Sequence, residues 1–378
     1  MYLSMRRFPP IFIISIGLIV MIGSCVKPYQ PSSIRGGNAY LVVDGALLAD
    51  SSTVIRLSRT RNLSDTGGTV AENNAQVFIE EESGGIYPFL QTADGEYTLD
   101  HPLLTIGVRY RLKILTSNTK HYLSDYVEMK PTPPIDSLQW DQKNDIFIYV
   151  NTHDPTNNTR YYRWDFVETS DYNTPFDSFL DFRGGQVVFI QPDEYRTTCY
   201  KTFYSKDVLV GSSAALSSDV ISHLRINSIA NDNSKISDRY SILVKQYALT
   251  SDAYQYWIIL KQNSEQTGGL FDPQPSQLKG NIHCAEVPDE PVIGYISASS
   301  VQGKRIFINN TELSDRKETI YSVLCKETLV ARDSAAYYLQ DGSFLPAYYI
   351  SNGPLAIAPK FCVDCRLGGG VTARPPFW

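Results

Sequence analysis

Apolar residues recur at every second position over most of this chain, and that period commits it to β-strands. Ala39 to Leu47 (Ala-Tyr-Leu-Val-Val-Asp-Gly-Ala-Leu) is the first such run, and Thr53 to Arg59 sets Val54, Ile55 and Leu57 among polar neighbours. Gln76 to Glu80, Val108 to Leu115 and Tyr122 to Glu128 continue the pattern, with Gly67-Gly68, Gly84-Gly85 and Asp94-Gly95 as turn signals. Short strands at this spacing over about 90 residues predict an immunoglobulin-like or transthyretin-like β-sandwich over 38–130.

Pro131-Thr132-Pro133-Pro134 breaks the pattern and reads as an extended linker, 131–134. Strands resume at Ile135–Trp140, Ile146–Val150, Tyr161–Val167, Val292–Ser299 and Arg305–Ile308, so 135–378 reads as a larger, mostly β second domain. The run Tyr-Tyr-Arg-Trp-Asp-Phe from Tyr161 places aromatics on both faces of a strand. One short helix is predicted from Asp252 to about Gln262, with Ser251 as N-cap. Tyr254, Trp257, Ile258 and Lys261 share one of its faces, read as core packing. Two prolines make regular structure unfavourable over 271–281. The fold class is therefore mainly β.

At 378 residues the chain has room for two domains or one large β domain, and 43% hydrophobic residues are ample for a core. The net charge is −6 with no long basic run, which argues against nucleic-acid binding.

The N-terminus reads as an address. Arg6 and Arg7 precede a mostly apolar stretch of 13 residues, Ile11 to Gly23, and Gly23-Ser24 precede Cys25. A membrane-crossing helix needs about 20 apolar residues; a secretory signal core needs about 7–15. The expectation is a lipoprotein signal peptide, 1–24, cleaved before Cys25, whose thiol takes the lipid. Two or three acyl chains hold such a protein stably on a bilayer. The chain after cleavage carries 32 basic and 40 acidic residues, a net −8, so the lipid and not a polybasic patch is the membrane contact. Residues 25–37, rich in Pro, Ser and Gly, form the tether.

With Cys25 lipidated, five cysteines remain outside the cytosol: Cys199, Cys284, Cys325, Cys362 and Cys365. Five is odd, and spacing alone leaves the pairing open. Cys362-Val363-Asp364-Cys365 is a C-x-x-C, but Gly368-Gly369-Gly370 and two prolines follow, unlike the helix that a redox motif opens. A zinc site lacks a second ligand pair, His283-Cys284 being the only nearby supplement. Structural disulfides are the expectation.

No catalytic, cofactor or metal residue is assigned. A G-x-S-x-G elbow is missing, and Ser276-Gln-Leu-Lys279 sits in the Pro-rich loop without companion motifs. His101, His121, His153, His223 and His283 are never paired at helical spacing. The neighbours Asp193-Glu194 are one of many acidic pairs, and Asn231-Asp232-Asn233 with Asp238 reads as a solvated turn rather than a cation loop. What stands out is 25 Tyr, 16 Phe and 4 Trp, rings that stack on sugars or bury protein surface. Phe377-Trp378, after Pro375-Pro376, is the candidate contact with a partner; packing on the chain's own domain is the simpler alternative.

Four segments carry a resemblance: Val42-Val43-Asp44-Gly45; Pro134-Ile135-Asp136-Ser137-Leu138; Phe271-Asp272-Pro273-Gln274-Pro275 with Gly280-Asn281; and Cys362-Val363-Asp364-Cys365-Arg366 through Gly369 to Pro376-Phe377-Trp378. In this order they resemble the Bacteroidota outer-membrane lipoproteins catalogued as domain of unknown function 4249. The resemblance implies that Cys199, Cys325, Cys362 and Cys365 are the usual cysteines and Cys284 the odd one. It also implies a TonB-dependent outer-membrane barrel, with a carboxypeptidase-regulatory-like domain, as partner. The expectation is a non-enzymatic accessory lipoprotein of that transporter, on the outer membrane and facing the cell surface. An independent glycan- or peptide-binding surface lipoprotein is the alternative.

Overall fold

The computed structural model of the chain describes residues 39–61, 67–265, 278–314 and 324–378. It is mainly β, as the two-residue period requires.

Two sheets face each other in the first sandwich. One orders the strands Leu41–Gly45, Thr53–Arg59, Glu96–Leu99 and Leu90–Ala93, all antiparallel. The other runs Ile282–Cys284, His121–Ser124, Arg109–Leu115, Gln76–Glu81 and Ile86–Pro88. Alternate side chains meet between them: Leu41, Val43, Ile55 and Leu57 against Val77, Ile79, Leu112 and Ile114. Val54, one residue out of phase with Ile55, falls on the other face and is only half-buried. Buried Tyr97 is satisfied at its polar end, its hydroxyl donating to the Glu72 carbonyl and accepting from the Ala75 amide, both at 2.9 Å.

This sandwich is assembled from two separate pieces of chain. Ile282–Cys284 pairs with His121–Ser124, with Cys284 opposite Tyr122. Ala298–Ser299 runs parallel to Leu47–Leu48, and Val292, Ile296 and Ala298 complete the core. A linear division at 131–134 places these residues with the later domain. Ile282–Cys284 is too short to show a period, and of the predicted strand Val292–Ser299 only Ala298–Ser299 forms, so backbone contacts fix the segment instead. A Cβ on Gly280 would stand 1.9 Å from the Gly294 carbonyl oxygen. The Asn281 side chain then bridges both backbone groups of Ile296, at 2.9 and 2.8 Å. The Pro-rich segment is equally fixed. Buried Thr132 accepts from the Ala248 amide at 3.0 Å, and its own amide donates to Ser300 Oγ at 2.9 Å.

In the second sandwich the sheet Ile135–Gln142, Asp145–Asp154, Asp219–Ala230 packs on the sheet Thr198–Tyr204, Tyr161–Asn173, Arg239–Ala248, Val301–Asn309. Ile146, Ile148 and Val150 meet Tyr162, Trp164, Phe166, Ile242 and Val244. The aromatics of the Tyr161 run are thus mostly on one face. Tyr162, Trp164 and Phe166 are inside, while Tyr161, Arg163 and Asp165 point away. The helix Ser251–Glu265 starts at Thr250, whose Oγ1 accepts from the Ala253 amide at 3.2 Å. Thr250, not Ser251, is therefore the cap. Its buried face is Ala253 and Tyr256, while Tyr254, Trp257, Ile258 and Lys261 are half-buried. The helix lies over the outer side of the sandwich beside the first one, so its contact face is turned from the predicted one.

The last part of the chain adds a sheet Thr328–Val330, Leu355–Pro359, Phe344–Tyr349 and a second, shorter helix, Ala335–Leu339. The sheet packs on the hairpin Leu180–Arg183/Gln186–Phe189. Disulfides Cys199–Cys365 and Cys325–Cys362 tie this unit down, and the first of them joins it to the second sandwich.

Candidate functional site

The residues singled out in the sequence are dispersed. Cys25 and the tether lie outside the described residues, as does the segment Phe271–Pro275. Cys284 is free and buried, its Sγ 3.6 Å from Glu286 Oε2. His283, one residue away, faces outward, 3.5 Å from Asp125. His121 holds Glu286 at 2.6 Å and His153 holds Asp136 at 2.8 Å. His101 holds Asp100 at 2.7 Å, and His223 stacks on Tyr149 at 3.8 Å. Glu194 pairs with Arg183 at 2.6 Å, and Asp238 accepts from the Asn173 amide at 3.1 Å. Among the described residues no group of three His, Cys, Asp or Glu is placed to hold a metal ion.

Trp378 is committed to its own chain. Its indole Nε1 donates to Asp171 Oδ2 at 3.2 Å, and its ring meets Tyr200 and Phe307 edge-on at 5.5 and 5.7 Å. Phe377 lies under the Arg305 guanidinium, 3.6 Å from ring centre to Cζ, and keeps 41% of its surface exposed. The two C-terminal rings therefore dock on the second sandwich, and Trp378 is not a free partner contact.

A cleft of about 530 Å³ lies between the two sandwiches, within the size range of small-molecule sites. Strand geometry builds it. Because Tyr162, Trp164 and Phe166 fill the core, Arg163 and Asp165 must point out of the same strand, and Lys245 and Tyr247 stand on the neighbouring one. The first sandwich closes the opposite wall with Asp44, Val54 and Arg56, and Trp257 reaches in from the helix. Arg163 is the centre. Its Cζ is 4.7 Å from the Tyr247 ring and 4.7 Å from the Trp257 ring, and its guanidinium is 3.6 Å from Asp165 Oδ2. A guanidinium so flanked keeps a fixed direction.

Charge around this centre is only partly compensated. Arg56 pairs with Glu96 at 2.9 Å. Lys206 and Lys245 have no carboxylate within ion-pair distance among the described residues, nor do Asp44 and Asp207 have a cation. Burial raises the pKa of the Tyr247 phenol, and the nearby Asp165 raises it further against the opposing pull of Arg163. The phenol therefore remains a protonated donor at neutral pH. The Trp257 indole Nε1 is buried with no acceptor, a cost of about 1–3 kcal/mol for holding that ring against Arg163. Tyr204 stands at the mouth, 72% exposed. Stacking faces beside unpaired charges of both signs suit a hydrated polar ligand such as a glycan or a peptide. No single motif marks this group, since its members come from distant strands and a helix; Asp44, the Tyr161 run and Trp257 stand out in the sequence, but for other reasons.

The profile of the family described as Domain of unknown function (DUF4249) matches residues 26–305. The match spans the first sandwich, all of the second but the end of the strand Val301–Asn309, and every residue lining the cleft. No curated protein matches the chain.

Proposed function

The chain belongs to the DUF4249 family, and on that premise we propose that it is a lipid-anchored outer-membrane lipoprotein, a non-enzymatic accessory subunit of a TonB-dependent barrel that helps capture or admit a substrate. In this reading Cys25 carries the lipid, residues 25–37 give reach on the cell surface, and the cleft between the sandwiches holds the substrate. The partner is a barrel bearing a carboxypeptidase-regulatory-like domain. The observation that carries the reading is the cleft, where Arg163 between Tyr247 and Trp257 sits beside Lys206 and Lys245. Such a group binds and orients a polar ligand by stacking and charge-assisted bonds. A Pro-rich connection locked by Thr132 fixes the two walls relative to each other.

Affinity purification of the lipidated protein from its native outer membrane in mild detergent, with mass spectrometry of what comes with it, tests the proposal. A stoichiometric barrel supports it. A lone lipoprotein, repeatedly, refutes the accessory role and leaves independent glycan or peptide binding. That alternative requires the purified chain to bind a ligand by itself and to lose it on Trp257→Ala or Arg163→Ala.

A further inference from the structure

A second cleft, of about 500 Å³, lies at the far end of the second sandwich, where the C-terminal unit is bonded to it. Its character differs from that of the first. Most of its accessible lining is apolar, with Phe203, Phe361 and Leu367 among the walls, and Phe361 and Leu367 are exposed at 39% and 52%. Large side chains left this open beside a concave surface lose the benefit of burial until something covers them.

Two lysines flank Phe203, and they are not equivalent. Lys235 Nζ is 4.3 Å from the ring centre and is bonded to buried Glu168 at 2.6 Å. Glu168 also accepts from Tyr240 Oη at 2.8 Å and Asn227 Nδ2 at 3.0 Å, so this ion pair is closed on itself. Lys201 Nζ is 5.5 Å from the same ring, and it donates to a neutral group, the Gly368 carbonyl at 2.8 Å. No carboxylate lies within ion-pair distance of it among the described residues. Among the described residues the cleft therefore carries one uncompensated ammonium at the edge of an apolar wall.

We propose that this cleft binds an amphiphilic monoanion, a carboxylate on an apolar body, with the carboxylate on Lys201 and the body along Phe203, Phe361 and Leu367. A single compact ammonium suits one small anionic head, whereas forked guanidinium groups are the usual partners of phosphate. The site is separate from the cleft between the sandwiches and does not rest on the barrel-accessory reading.

Isothermal titration calorimetry on the chain from residue 26 onward, which contains every described element, tests this with decanoate, decyltrimethylammonium and acetate. Decanoate is expected to saturate one site. Decyltrimethylammonium, with the same tail and opposite charge, should bind at least about tenfold more weakly, and acetate should show no saturation. Lys201→Met keeps the apolar stem and should weaken decanoate by about tenfold or more without weakening decyltrimethylammonium. Leu367→Glu, at an exposed position that tolerates substitution, should weaken decanoate by a similar factor. No saturable decanoate binding, equal affinity for the two amphiphiles, or an unchanged affinity in Leu367→Glu overturns the proposal, whether or not Lys201→Met folds. Loss of barrel copurification has no bearing on these outcomes.

Discussion

Gln246→Leu should cost the protein about 3 kcal/mol, and the figure follows from which groups lose a partner. Gln246 is fully buried and stands opposite Trp164 in the sheet register. Its Oε1 accepts from Trp164 Nε1 at 2.8 Å, and its Nε2 donates to the Pro133 carbonyl at 2.8 Å and to Thr152 Oγ1 at 2.9 Å. Leucine fills a similar volume but makes none of these bonds. Thr152 keeps a partner, since its hydroxyl still donates to the Pro134 carbonyl at 2.9 Å. Trp164 Nε1 and the Pro133 carbonyl do not. Each orphaned buried group costs about 1–3 kcal/mol, partly offset by the apolar burial that leucine gains. Urea unfolding followed by far-UV circular dichroism gives the change, with a fluorescence trace checking that both sandwiches unfold together. Trp164→Phe removes the other half of the principal bond, so the double variant should be less damaging than the two single losses added, by about 1–2 kcal/mol. A loss under about 1 kcal/mol for Gln246→Leu, or strict additivity, refutes the claim that this network joins the Pro-rich segment to the second sandwich.

Three further outcomes follow from the fold. Replacing Cys199 and Cys365 by alanine opens a loop of 166 residues and should lower the unfolding free energy by about 4–5 kcal/mol; the Cys325–Cys362 loop of 37 should cost less, and the reverse order in urea midpoints counts against the chain-entropy argument. Burial pushes the pKa of Asp154 up, but bonds from Thr156, Asn158 and Thr159 outweigh this and hold it below the ordinary carboxylate range. Its contribution is therefore complete above about pH 4 and lost as pH falls through the depressed value; Asp154→Asn should show a smaller drop in urea midpoint from pH 7 to pH 3 than the unsubstituted chain, and equal drops refute it. Gly280→Ala forces a Cβ to within 1.9 Å of the Gly294 carbonyl oxygen, so it should cost about 3 kcal/mol or more and speed amide exchange across Ile282–Cys284; an unchanged midpoint refutes that close approach.

The sequence period made the strands legible because each lies between a core and an outside, and alternation is the direct record of that position. Arg109–Leu115, with Tyr110, Leu112 and Ile114 inward, is the clearest case. Where an element is too short to alternate, the record fails. Ile282–Cys284 has three residues, and what places it is the contact of Gly280 with Gly294 and the grip of Asn281 on Ile296. The helix was legible as a helix, but its buried face was not. A period gives the stripe that is apolar, whereas the face that is buried depends on what lies beneath, and here it is Ala253 and Tyr256.

The same distinction separates residues held by backbone contact from those that meet only through side chains, even where one segment, such as Asp44-Gly45, supplies both. Gly45 has φ +147°, and a Cβ there would come within 2.5 Å of the Val54 carbonyl oxygen; Gly280 and Asn281 hold the returning segment. These residues occur where two backbones touch, a position with few chemical solutions, and so they form readable motifs. Arg163, Tyr247 and Trp257 meet only through side chains from separate elements, as do Lys201, Phe203 and Phe361, and many residue types fit such surfaces. A substitution at Gly45 or Gly280 should therefore register as lost stability. One at Arg163 or Lys201 should register as lost ligand binding in a chain that still folds, because Arg163 and Lys201 lie outside the hydrophobic cores that hold the sandwiches together.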